Sequence, residues 1–306
     1  MVSRPDVLVL GGGGVLGQEW LTGVLAGIED ATAFDLRDCE HFVGTSAGSI
    51  VAAGLSAGRA LERPDATTGT ESSWAAPEER PAGTALQVAQ RAGRATLAAW
   101  STLAPLALAA TGPGGAFVRA GVLTRLPRPH RTLDHLREEV ETYGARFDGR
   151  LRIAAVDRLR GRRVMFGSPG APVTSVARAV EASCSVPWLF APVTIAAREY
   201  VDGGVWSATN LDAAPVGRDT YVLCLNPTAG INGTHTLVSV ARTLARSVVS
   251  VEALALKRRG AIVQTIAPDV ECAAAMAGDF MDPEPRSDVR AAGYRQGLRL
   301  GRPTLR

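Results

Sequence analysis

HFVGTSAGSIVAAG, residues 41–54, joins a short apolar run to small, helix-compatible residues across Gly44-x-Ser46-x-Gly48. A strand, a sharp turn with a serine at its apex and a helix whose N-terminus faces the hydroxyl make up a nucleophile elbow. Glycines two residues either side of the serine keep side chains from colliding in that turn. The same pattern returns ten residues later as Gly54-Leu55-Ser56-Ala57-Gly58. Ser56, however, falls at the end of the helix that the first motif begins, with no strand before it. Context selects Ser46.

Working upstream, Val7–Leu10 is a fully apolar run, as expected of a buried parallel strand. The loop GGGGVLG, residues 11–17, follows and opens a helix with Trp20, Leu21, Val24, Leu25 and Ile28 at helical spacing. Two successive strand–turn–helix units predict parallel strands with helical crossovers, an α/β fold. The glycine loop has several readings. Gly12-x-Gly14-x-x-Gly17 satisfies the dinucleotide fingerprint of an oxidoreductase, with Asp35 or Asp38 about where a ribose-binding acid is expected. A Walker A loop is excluded, because Gln18 stands where the phosphate-binding lysine is required. Backbone N–H groups at a helix N-terminus also form an oxyanion hole, and the loop could simply be a tight turn.

Downstream, LRIAAVD and RRVMFG predict a β-hairpin, and residues 174–183 a short helix. EYVDGG, residues 199–204, reads as a strand ending at Asp202, with Gly203 and Gly204 turning the backbone away. That leaves the carboxylate at the C-terminal edge of the sheet, where ligands of open α/β sheets bind. TYVLCL and AIVQTIAP are further strands. Leu237, Val240, Leu244, Val248 and Val251 mark a long amphipathic helix closed by Lys257, Arg258 and Arg259, and an Arg-rich helix ends the chain.

A glycine loop, a G-x-S-x-G elbow and a late Asp-Gly-Gly, in this order, resemble the patatin-like phospholipase family. The resemblance covers residues 6–58 and about 174–212, and includes ARAVEASCSVPWLFAPVTI, residues 177–195, which leads to the aspartate strand. It implies a three-layer fold with a mostly parallel central sheet and helices on both faces. It further implies a Ser–Asp dyad of Ser46 and Asp202, with Gly12, Gly13 and Gly14 as the oxyanion loop. The activity implied is hydrolysis of lipid acyl esters (phospholipid, lysophospholipid or glyceride), with no metal or cofactor. Two positions depart from the family. Leu16 stands where Arg or Lys is frequent, and Asn210 is followed by Leu211 and Asp212 without the usual Asn-x-Pro proline. A Ser46–Asp202–His235 triad imitates the α/β-hydrolase order, but His235 lies in the polar stretch INGTHTLV, which reads as a helix entry.

Composition bounds the rest. The 306 residues read as one α/β domain with an insertion at about 59–125. A net charge of +3, without a basic stripe interleaved with aromatics, argues against nucleic acid as a partner. Cys39, Cys184, Cys224 and Cys272 are widely spaced and read as reduced, buried thiols. The N-terminus lacks a secretory pattern, so a cytoplasmic location is expected. Residues 95–118 carry no charge, but Pro105 and the alanines favour a lid or core segment over a membrane span. Such an apolar cover would shield an acyl chain or make peripheral contact with a membrane.

Overall fold

In the computed structural model, residues 2–64, 113–230, 248–276 and 280–302 are described. Strand β1 (Val7–Leu10) leads into α1 (Gly14–Thr32), and β2 (His41–Thr45) into α2 (Ala47–Ser56). Helices α3 (Pro113–Arg125) and α4 (Asp134–Thr142) precede the hairpin of β3 (Leu151–Asp157) and β4 (Arg162–Phe166). Then follow α5 (Val176–Cys184), β5 (Val193–Ile195), β6 (Arg198–Asp202) and β7 (Tyr221–Leu225). The described part of helix α6 spans residues 248–258. Strand β8 (Ile262–Ile266), α7 (Val270–Ala275) and α8 (Arg286–Gly301) complete the chain.

The strands form one sheet through the successive pairings β5-β6-β3-β2-β1-β7-β8, with β4 also paired to β3. The pairs among β3, β2, β1, β7 and β8 are parallel, whereas β4 and β6 run antiparallel to β3 and β5 runs antiparallel to β6. β1 has no polar face because both of its faces are covered. Leu8 and Leu10 join a core with Leu21, Leu25, Ile50, Val180 and Val289, from α1, α2, α5 and α8. Val7 and Val9 meet Val249, Ala253 and Leu256 of α6 on the other face. The expected three layers, with a mostly parallel sheet between helices, are therefore present.

The Arg-rich C-terminal helix lies against α1 so closely that a Cβ on Gly23 would come 2.2 Å from the Arg290 carbonyl oxygen. Its arginines serve the core: Arg286 and Arg290 donate to the carboxylate of Glu19, itself 2 % exposed, at 2.8 and 2.6 Å. Breaking a buried pair of this kind strands a charge and costs about 3–5 kcal/mol. The four cysteines are free and buried, as read from their spacing. Among the described residues no helix is long and apolar enough to cross a membrane. Most of the uncharged stretch 95–118, the start of the amphipathic helix and His235 lie outside the described residues.

Candidate active site

The register along β3 dictates which groups meet. β2 runs parallel to β3, with Thr45 opposite Ala154. β6 runs antiparallel, with Asp202 opposite Ala155. β4 occupies one edge of β3 from Ile153 to Asp157, so β2 and β6 must share the other. They enter that edge from opposite directions and their C-terminal ends meet. Ser46, the residue after β2, and Asp202, the last of β6, are thus brought together.

Ser46 has φ 50° and ψ −125°, a left-handed backbone at a non-glycine residue immediately before α2. Such a conformation costs about 1–3 kcal/mol and persists only where its surroundings over-determine it. Those surroundings are specific. The Ser46 amide donates to Ser183 Oγ at 2.8 Å, and its carbonyl accepts the Ser49 amide and hydroxyl at 2.7 and 2.6 Å. The flanking glycines sit where no side chain fits: a Cβ on Gly48 would lie 2.1 Å from the Leu10 carbonyl oxygen, and one on Gly44 2.5 Å from Ser49 Cα.

The second motif shares none of this. Around Gly58 nothing lies within 4 Å of an added Cβ, and Gly54 meets only the Arg59 side chain, at 3.9 Å. Ser56 ends α2 with its hydroxyl donating to the Ala53 carbonyl at 2.9 Å.

Asp202 is 2 % exposed, and its carboxyl is pushed up to about 7, chiefly by burial. The Gly204 amide, donating to Oδ1 at 2.6 Å, and the Ser46 side chain pull it partly back. Among the described residues no cation enters that balance. The Asp202 amide donates to the Ser185 carbonyl at 3.0 Å, so α5 and the turn after it hold both halves of the site. The buried Cys184 thiol lies between them and is raised well above its ordinary value by burial, with the Asp202 charge adding to the effect.

The glycine loop borders the serine directly, since a Cβ on Gly12 would come 3.1 Å from Ser46 Cβ. Gly12, Gly13 and Gly14 differ in what their amides do. Gly12 donates to the Ala208 carbonyl at 2.8 Å, whereas the Gly13 and Gly14 amides, at the start of α1, donate to no described residue. The dinucleotide reading lacks its acid. Asp35 and Asp38 precede β2 and therefore lie at the N-terminal edge of the sheet, opposite the glycine loop. Asp35 is also engaged by Arg37, whose amide and Nε donate to it at 2.9 and 2.8 Å.

His41 begins β2 at that same far edge, and His130 and His135 are exposed, so no described histidine stands beside Ser46. Among the described residues no cluster of His, Cys, Asp and Glu suits a metal ion. A groove of about 550 Å³ among α1, α2, α4 and α8 is lined by Ile50, Leu55 and Tyr143 together with charged groups such as Glu19, Arg59 and Arg290, but touches neither Ser46 nor Asp202.

Several residues of the site escaped the sequence reading. Asn210 reaches further than a turn residue: its Nδ2 donates to Thr45 Oγ1 at 3.0 Å, to the Ser207 carbonyl at 2.8 Å and to the Gly203 carbonyl at 3.3 Å. It ties the residue before Ser46 to the residue after Asp202. Ser183 and Ser185 were visible only as part of the ASCSVP segment.

A family model described as Patatin-like phospholipase matches residues 8–215. Among curated proteins none matches the chain. Among solved structures, that of VipD from Legionella pneumophila is similar over 98% of this chain and 67% of its own, with 15% identity and a TM-score of 0.44.

Proposed function

Since the chain belongs to the patatin-like phospholipase family, we propose that it hydrolyses acyl esters of lipids through an acyl-enzyme on Ser46, with Asp202 as the base. The observation that carries this reading is the meeting of β2 and β6 on one edge of β3, which sets a strained serine beside a buried carboxyl raised to about 7. A carboxyl in that range is divided between its two forms at neutral pH, as a general base working there should be.

In the first step Asp202 takes the Ser46 proton as Oγ attacks the ester carbonyl. The Gly13 and Gly14 amides hold the oxyanion, while Gly12, its own amide occupied, supplies the close approach to the serine. Asp202 then gives its proton to the departing alcohol. Water repeats the sequence on the acyl-enzyme and releases the fatty acid. The substrate is a phospholipid, lysophospholipid or glyceride, presented at a membrane or micelle surface.

Turnover of a series of fatty acyl esters tests the reading. Rates should rise with acyl length and with micelles, Ser46→Ala should abolish them, and Ser56→Ala should leave them intact. Turnover that survives Ser46→Ala would refute it.

A further inference from the structure

The segment 207–211 touches every piece of the site. The Ala208 carbonyl accepts the Gly12 amide at 2.8 Å, the Thr209 carbonyl accepts the Thr45 hydroxyl at 3.3 Å, and Asn210 binds Thr45 and the Gly203 carbonyl. Asn210 itself is left-handed, with φ 51°, so the segment needs something to hold it. What holds it comes from the opposite side of the sheet.

Glu252, on α6, is 7 % exposed. Its Oε2 accepts the Thr209 hydroxyl at 3.0 Å and the Leu211 amide at 3.1 Å. The Ser207 side chain also interacts with this carboxyl, while Ser207 Oγ accepts the Thr209 and Asn210 amides at 3.3 and 3.1 Å. One carboxylate thus gathers three residues of a five-residue segment.

We propose that Glu252 is a positioning residue for the Ser46–Asp202 pair, acting through the 207–211 segment from the α6 face of the sheet. The inference rests on the hydrolase reading for its catalytic consequence, though not for its structural one. Glu252 lies beyond the matched residues 8–215 and reaches the reacting atoms only through others. Among the described residues no cation offsets the burial of Glu252, and an acid buried in that way is costly. Burial, with the charge of Asp212 (itself held by Arg163 at 2.9 Å) adding to it, raises the carboxyl to about 7, and the hydrogen bonds from Ser207, Thr209 and Leu211 pull it partly back. Its hydrogen bonds to the segment are what offset that cost.

The test compares Glu252→Ala with Glu252→Gln, which keeps an oxygen able to accept from Thr209 and Leu211. Two quantities are measured: the rate of fluorophosphonate labelling, and hydrogen exchange of peptides covering 44–50 and 200–211. Glu252→Ala should slow labelling and kcat about 10- to 100-fold, the scale of a misplaced reacting group, with KM within about twofold. Exchange should quicken in those two peptides but not in β1 or β7. Glu252→Gln should stay within about threefold of the native rate. Should Glu252→Ala not fold, Thr209→Val removes one donor alone and should quicken the same exchange. Unchanged exchange in the folded variant, or Glu252→Gln as impaired as Glu252→Ala, overturns the proposal. A native protein that takes no label, with exchange still responding as expected, would refute the hydrolase reading and leave the positioning role standing.

Discussion

Replacing Asp202 by Asn should make the protein more stable as the pH rises, while removing its activity. The folded carboxyl sits about three pH units above its ordinary 3.8, and burial is the main cause. Because the folded value is the higher one, the folded state binds this proton more tightly than the unfolded chain. Asp202 therefore costs nothing below about pH 4. Between about pH 4 and 7 its cost grows by about 1.4 kcal/mol per pH unit, and above 7 it is constant at on the order of 4 kcal/mol. Asn keeps the acceptor for the Gly204 amide but cannot ionise. It adds a pH-independent offset from its own buried amide, so the decisive quantity is the slope. Glu252, also raised to about 7, titrates in both proteins and cancels in the difference. Urea unfolding of both proteins at pH 5, 7 and 8.5 should show the gap moving in favour of Asn by about 2 kcal/mol from 5 to 7, where the folded carboxyl is half ionised, then little more. A gap independent of pH would refute the argument that Asp202 is held in a desolvated site.

Three further outcomes are expected. Gly48→Ala should prevent folding or cost more than about 3 kcal/mol, because its Cβ would strike the Leu10 carbonyl, whereas Gly58→Ala, left-handed but in open space, should cost about 1–2 kcal/mol by urea titration. The pH profile of kcat/KM should show an acid limb of unit slope with its midpoint near 7, as Asp202 must be ionised to act as base; a flat profile from pH 6 to 8 would contradict this. His235→Ala should keep activity within a few-fold in the ester assay, and a loss matching that of Asp202→Asn would place a histidine in the machinery.

Much of the fold was legible because its signals are local. The apolar run at Val7–Leu10, the strand–turn–helix around Ser46 and the hairpin at Leu151–Phe166 each carry their own pattern. The two serine motifs differ in their packing: the glycines flanking Ser46 face backbone, whereas Gly58 faces open space and Gly54 meets only the Arg59 side chain. The site's supports were not legible, because they depend on register between distant strands. Nothing near Asn210 announces that it reaches Thr45, 165 residues away. Glu252 left only a faint mark, a single acid within the run VSVEALAL, and its partners lie 41–43 residues earlier, before β7. Likewise, glycines 12, 13 and 14 look alike in sequence, and only the approach of Ala208 separates the occupied amide from the two that donate to no described residue.

Labelling the native protein with a fluorophosphonate and mapping the adduct by mass spectrometry decides whether Ser46 is a nucleophile activated by Asp202. One adduct is expected, on Ser46, unaffected by Ser56→Ala and slowed on the order of 10³-fold by Asp202→Asn, as when a member of a catalytic triad is lost. An adduct on any other residue, or labelling of Ser46 at the native rate in Asp202→Asn, would contradict that reading.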